Sequence, residues 1–240
     1  TTSFTLLAIP FFILAGNLMN EGGITDDLVN FSRQLVGHIR GGLGLTTIVA
    51  CAIFASISGS AVATAMAIGT VMLPAMRQAG YDDEVSSAMT DTASCMGPII
   101  HPSIPFIIYG VIAQVSIGAL FIAGIIPGLL LGGCLMIYML FVARRDGYPR
   151  EPRASMRNIF TGTLRALPSL VMPLIIIGGI WGGIFTPTEA AGIAVVYAFM
   201  VGFFVYRRLK LSRLYRLLLT SGVEAAVVML LLGLSEPFAW

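Results

Sequence analysis

Polar interruptions divide this chain into long apolar runs. Residues 115–142, 167–185, 190–206 and the stretch from 223 onward each carry enough apolar residues to cross a bilayer core of about 30 Å, which takes a helix of about 20 residues. Residues 88–113 are long enough but are interrupted at their centre, and residues 4–19 form a shorter run. Residues 20–40 differ. There Asp26, Asp27, Arg33, Gln34, His38 and Arg40 are interspersed with Leu28, Phe31, Leu35 and Ile39 at spacings of three and four, which predicts an amphipathic helix along an interface. Residues 209–219, with Lys210, Arg213 and Arg216 among leucines, read the same way.

Two stretches cannot be single straight helices. A helix over residues 43–79 would be about 55 Å long, nearly twice the bilayer core. It is interrupted by Ser56-Ile57-Ser58-Gly59-Ser60-Ala61. Either it crosses once with an extension beyond the membrane, or it enters, turns at Ser58-Gly59-Ser60 and returns. The second stretch is Gly97-Pro98-Ile99-Ile100-His101-Pro102-Ser103-Ile104-Pro105. Each proline lacks an N–H, and the ring of Pro102 or Pro105 would collide with a carbonyl one turn earlier, so the helix must open and leave main-chain carbonyls unpaired. Lipid cannot satisfy them. Non-helical backbone at membrane depth survives only where it is packed in protein or lines a cavity, as in the broken helices that hold ions in secondary transporters.

Composition fixes the class. Of 240 residues, 57% are hydrophobic and 11% charged, too little polar surface for a soluble domain, so an all-α, polytopic membrane protein is expected. The net charge is only +2, yet all fourteen Lys and Arg fall at Arg33, Arg40, Arg77, within 144–165 and within 207–216. If residues 43–79 form a re-entrant hairpin, counting crossings puts all of these on one side of the membrane; if they cross, Arg33 and Arg40 lie opposite the rest. The positive-inside bias favours re-entry from the cytoplasm, with residues 114–118 and 182–189 as external turns free of basic residues. The basic clusters set orientation and do not point to nucleic acid. Cys51, Cys95 and Cys134 have no metal-ligand spacing and read as small apolar residues. The chain opens directly on an apolar run and closes inside another, so no signal peptide is expected and it reads as a piece of a longer protein.

The hairpin tip and the break have complementary chemistry. Ser56, Ser58, Ser60 and Ser103 supply hydroxyls, and Gly59, Gly97 and the prolines expose carbonyls. Sodium takes such neutral oxygens without needing a carboxylate, while helix N-termini created at each break point positive dipole ends at an anionic substrate. Asp91, the only carboxylate well inside a crossing segment, is a candidate for coupling. Thr186-Pro187-Thr188-Glu189 reads as a helix start, with Thr186 as N-cap and Glu189 completing a capping box. A serine hydrolase using His101 with Ser58, Ser60 or Ser103 is disfavoured, because no orienting acid is evident beyond Asp91 and a proline-flanked histidine is a poor rotatable base. A membrane scaffold or assembly subunit, whose broken helix only packs, is the other reading.

Five motifs in order resemble the large membrane subunit of tripartite ATP-independent periplasmic (TRAP) transporters. They are Ala8-Ile9-Pro10-Phe11-Phe12-Ile13-Leu14-Ala15-Gly16, Gly37-His38-Ile39-Arg40-Gly41-Gly42-Leu43-Gly44, Ser58-Gly59-Ser60-Ala61-Val62-Ala63, the proline-rich stretch from Gly97 to Pro105, and Gly183-Ile184-Phe185-Thr186-Pro187-Thr188-Glu189-Ala190-Ala191. The resemblance implies an elevator-type permease of the bacterial inner membrane, built from inverted repeats and driven by sodium. It carries a small organic anion, a dicarboxylate or a sugar acid, and is not an enzyme. It also implies two partners, a periplasmic substrate-binding protein and a small membrane subunit. No organic cofactor is expected, and sodium is the only metal.

On this resemblance, Ser56, Ser58, Gly59, Ser60, Gly97, Pro98, Ile100 and Ser103 form the first repeat's sodium site, with Ser58, Ser60, His101 and Pro102 near the substrate. The single domain of residues 1–240 then divides into a first helix and arm (1–42), a re-entrant hairpin (43–79), a broken helix (84–113), and scaffold helices opening an incomplete second repeat (115–240). Two positions depart from the family pattern: His101 stands where another proline is common, and Thr64 where an aspartate is common.

Overall fold

The computed structural model describes residues 4–235, whose regular elements are all helical, with no strand among them. Residues 236–240, the end of the last apolar run, lie outside the described residues. A 3-10 turn, Phe4–Leu7, leads into α1 (Ala8–Glu21), followed by α2 (Ile24–Val36), α3 (Gly42–Ser58), α4 (Ala61–Gln78) and α5 (Asp83–Ser94). Beyond a non-helical stretch come α6 (Ile104–Ile112), α7 (Ile117–Ala123), α8 (Ile125–Arg145), α9 (Met156–Trp181), α10 (Pro187–Met200) with a π turn (Val201–Val205), and α11 (Leu211–Ser235). Among the described residues, five helices are long and apolar enough to cross a membrane: Phe4–Glu21, Ile117–Arg145, Met156–Trp181, Pro187–Val205 and Leu211–Leu234. Their outward faces suit lipid. Ile126, Leu129, Ile137 and Phe141 of α8 and Leu230 and Leu231 of α11 stand exposed, which only an apolar surrounding would favour.

Two groups of helices pack around a shared bridge. The α3–α4 hairpin packs on α5, with α8 against α3, while α1 packs on α10 and α11 and α10 on α9. Helix α2 contacts both α3 and α9 and so joins the groups. Its buried face is Ile24, Leu28, Val29 and Ser32, whereas Leu35 and Ile39 are exposed. The expected stripe of Leu28, Phe31, Leu35 and Ile39 is therefore corrected. The helix stops at Val36, so Ile39 falls in a turn, and the neighbours α3 and α9 cover the face one step earlier.

Residues 209–219 also differ from expectation. From Leu211 they continue without interruption into the apolar run beyond 223, as α11. A glycine inside a helix costs only about 1 kcal/mol, so Gly222 alone does not end it. The Ser221 hydroxyl there accepts from Asn17 Nδ2 at 2.9 Å, tying α11 to α1.

Side-chain caps begin several helices. Ser116, Ser155 and Thr186 accept from the backbone N–H of Ala119, Asn158 and Glu189, and the Thr186 N–H donates back to Glu189 Oε2 at 2.8 Å to close a capping box. At the ends that hold the basic residues, three loops are strapped together. Tyr148 stacks on Tyr81 and donates to Asp82 at 2.9 Å; the Gly41 N–H donates to the Pro149 carbonyl at 3.2 Å; Arg33 pairs with Glu151. Nearby, the Arg77 guanidinium hydrogen-bonds Asp83 and holds its carboxyl below the usual range.

Candidate functional site

The tip of the hairpin is two residues long. Gly59 closes α3 in the left-handed conformation, at φ +63°, and its N–H donates to the Ala55 carbonyl at 3.1 Å. Ser60 is extended and caps α4, accepting from the Ala63 N–H at 3.3 Å. Among the described residues, no backbone N–H reaches the last carbonyls of α3, those of Ser56, Ile57 and Ser58. A helix C-terminus with free carbonyls carries partial negative charge, which favours a cation.

The break in the α5–α6 segment meets this tip backbone to backbone. Past Ser94 the chain makes tight turns, with the Gly97 N–H on the Ser94 carbonyl at 2.8 Å and the Ile100 N–H on the Met96 carbonyl at 2.7 Å. Ser103 restarts the helix as N-cap of α6, accepting from the Phe106 N–H at 3.3 Å, and its hydroxyl donates to the Pro98 carbonyl. A Cβ on Gly97 would stand 2.8 Å from the Ser60 carbonyl carbon, and one on Gly59 would collide with the Pro102 carbonyl oxygen. Only glycine permits both approaches. Among the described residues, the carbonyls of Gly97, Ile100 and Pro102 accept no hydrogen bond. From behind, Gly124 and Gly128 admit the Ile99 carbonyl and the Ile100 side chain. Gly16 of α1 lies against Ser58, where a Cβ would be 3.3 Å from the Ser58 Cα.

The structure thus brings Ser58, Gly59, Ser60, Gly97, Pro98, Pro102 and Ser103 into one neighbourhood, mostly buried and without a charged side chain among them. Ser56 donates its hydroxyl proton to the Ile53 carbonyl at 2.6 Å. The His101 ring is buried and contacts Phe121 and Trp181, at centroid distances of 6.0 and 5.8 Å. No hydrogen bond joins it to Ser58, Ser60 or Ser103, and its Nδ1 has no partner, so a nucleophile–base pair is not assembled. Asp91 lies on the exposed side of α5, its backbone carbonyl accepting from Ser94 Oγ at 2.6 Å.

One member of the site stood out in the sequence only as a departure from the family pattern. Thr64, fully buried, donates from Oγ1 to the Ser60 carbonyl at 2.7 Å and lies 2.9 Å from Ser58 Oγ. Its position four residues beyond the N-cap is the signal that could have found it. The contacts of His101 with Phe121 and Trp181 have no such local signal. Among the described residues, no three His, Cys, Asp or Glu side chains gather, so a cation here would meet neutral hydroxyls and carbonyls, the donor set of a hard monovalent ion.

Residues 1–240 match the family model described as "Tripartite ATP-independent periplasmic transporter, DctM component". The chain belongs to that family. It is 44% identical over 238 residues to the sialic acid TRAP transporter large permease protein of Vibrio cholerae, covering 99% of this chain and 56% of the relative. It is 42% identical over 236 residues to the C4-dicarboxylate TRAP transporter large permease protein of Pseudomonas aeruginosa, covering 98% and 55%. The 2,3-diketo-L-gulonate TRAP transporter large permease protein of Escherichia coli is 42% identical over 238 residues, covering 99% and 56%. The chain spans about half the length of these curated relatives. With this family and five helices of membrane-crossing length, it is a multi-pass protein of the bacterial inner membrane.

Proposed function

We propose that this chain carries the first repeat and first sodium site of a TRAP permease, and that the junction of the α3–α4 tip with the α5–α6 break holds that coupling ion. The observation carrying this reading is the backbone contact of Gly97 with Ser60 and of Gly59 with Pro102. It sets the open carbonyls of α3 and of the break beside the Ser58, Ser60 and Ser103 hydroxyls, an arrangement of neutral oxygens that suits sodium. The N-termini of α4 and α6 start at the same junction, and their dipoles favour an anion nearby.

In the complete permease, the hairpin re-enters from the cytoplasm and an inverted second repeat supplies the opposite wall of the cavity. The hairpin and broken helix then move together against α1, α9 and α10, with α2 as the flexible arm between them, since α2 packs on α3 and α4 on one side and on α9 and α1 on the other. The substrate is a small organic anion, a dicarboxylate or a sugar acid. A periplasmic binding protein delivers it at the face of the external turns, where a cavity of about 470 Å³ opens between Gln114–Ser116 and Phe185–Pro187. A small membrane subunit completes the scaffold.

Uptake by proteoliposomes containing the full permease, the small subunit and the binding protein tests this reading. An inward sodium gradient should drive accumulation of the anion, and replacing sodium by potassium should abolish it. Equal uptake in potassium would refute sodium coupling.

A further inference from the structure

The hydroxyl of Thr64 settles which way the protons at the hairpin tip point. Thr64 Oγ1 lies 2.7 Å from the Ser60 carbonyl oxygen and 2.9 Å from Ser58 Oγ. A hydroxyl carries one proton and a carbonyl none, so the proton of Thr64 goes to Ser60. The contact between the two hydroxyls then requires the proton of Ser58. The other acceptor within its reach, the Ser60 carbonyl, is 3.4 Å away, a much weaker bond. Both side chains are buried, Thr64 at 0% and Ser58 at 2% exposure, so bulk water does not compete for either proton. The relay runs from Ser58 to Thr64 to the Ser60 carbonyl, each bond polarising the next.

Resting on the sodium-coupled reading above, we infer that Thr64 is a positioning residue of the ion site, which by fixing the Ser58 proton leaves Ser58 Oγ only lone pairs to offer a ligand. Two consequences follow from that arrangement. Ser58 serves the cation and does not donate to the organic anion, so the earlier assignment of Ser58 to both narrows to the ion. Thr64 also binds the last residue of α3 to the first turn of α4, so the geometry of the tip is held by a neutral group, where a carboxylate would add a charge. Losing the hydroxyl frees the Ser58 rotor, and a cation must then orient it at binding.

The test compares Thr64→Val, which keeps the shape and removes the hydroxyl, with Thr64→Ser, which keeps the hydroxyl, in the complete reconstituted transporter. Half-saturating sodium for uptake should rise about five- to tenfold in Thr64→Val and stay within about twofold of the parent in Thr64→Ser, consistent with one hydrogen bond. Half-saturating substrate at high sodium should not move in either variant. Parent-like sodium dependence in Thr64→Val, or equal impairment of both variants, overturns the inference. A lower melting midpoint of Thr64→Val in sodium-free buffer, with sodium half-saturation unchanged, assigns Thr64 to packing and also overturns it. These results are separable from failure of the sodium-coupled reading itself, which would appear as sodium-independent uptake by the parent protein.

Discussion

Gly97 and Ser60 touch through their main chains: a β-carbon on Gly97 would stand 2.8 Å from both the carbonyl carbon and the oxygen of Ser60. No side chain mediates this contact, so nothing flexible can give way when Gly97 is enlarged. Gly133 on α8 is the natural control, because a β-carbon there meets nothing within 4 Å. Gly97→Ala should reduce sodium-driven uptake at least about tenfold while the protein still reaches the membrane, an effect of about 1.4 kcal/mol or more at the site. Gly133→Ala should match the parent. Parent-like uptake by both variants would mean that the tip and the break are not held together in the working protein.

Gly59 carries a different constraint. Its φ of +63° is strained for any residue with a β-carbon, and that carbon would also strike the Pro102 carbonyl. Gly59→Ala is expected to destabilise the purified protein by about 1–3 kcal/mol, from the backbone strain together with displacement of Pro102. Thermal unfolding in detergent measures this, and an unchanged midpoint would show that the tip relaxes freely.

The orientation of the hairpin can be read from its two ends. Arg40 precedes α3 and Arg77 lies in the last turn of α4, and both are exposed. Cysteines introduced at these positions should both react with a membrane-impermeant thiol reagent from the cytoplasm only. Labelling from opposite sides would replace the re-entrant hairpin with a crossing segment.

The strap of residues 146–151 should hold the loops at the base of the hairpin. Tyr148 contributes through its ring, 4.2 Å from that of Tyr81, and through its hydroxyl on Asp82. Tyr148→Phe should cost about 1 kcal/mol of stability by removing the hydrogen bond alone, and Tyr148→Ala about 2–4 kcal/mol by removing the stacking too. If the two variants unfold at the same temperature, the stacking does not contribute.

Punctuation in the sequence carried much of this architecture. Glycine and proline at Ser58-Gly59-Ser60 and across residues 97–105 interrupt apolar runs, and the physical need to open a helix there is local. The contact between the two interruptions is not local, and only the fold sets Gly97 against Ser60. Periodicity misplaced the buried face of α2, because which stripe is covered depends on where α3 and α9 lie. It also divided the run from 209 onward, where the helix is continuous over residues 211–235, since lysines and arginines signal an interface without ending a helix. Thr64 was visible as a departure from a family pattern, but its partners at the tip were not.

Ser58 gives the most direct measure of the central claim. Its hydroxyl lies at the tip, 2.9 Å from Thr64 Oγ1, and it caps no helix, unlike Ser60, whose removal would also weaken the start of α4. In the complete reconstituted transporter, uptake is measured against sodium concentration for the parent, Ser58→Ala and Ser60→Ala. The expected result is a rise of about tenfold in half-saturating sodium for Ser58→Ala, with a maximal rate close to the parent's, and a rise for Ser60→Ala as well. Sodium dependence identical to the parent in both variants would contradict the assignment of the hairpin tip as the ion site.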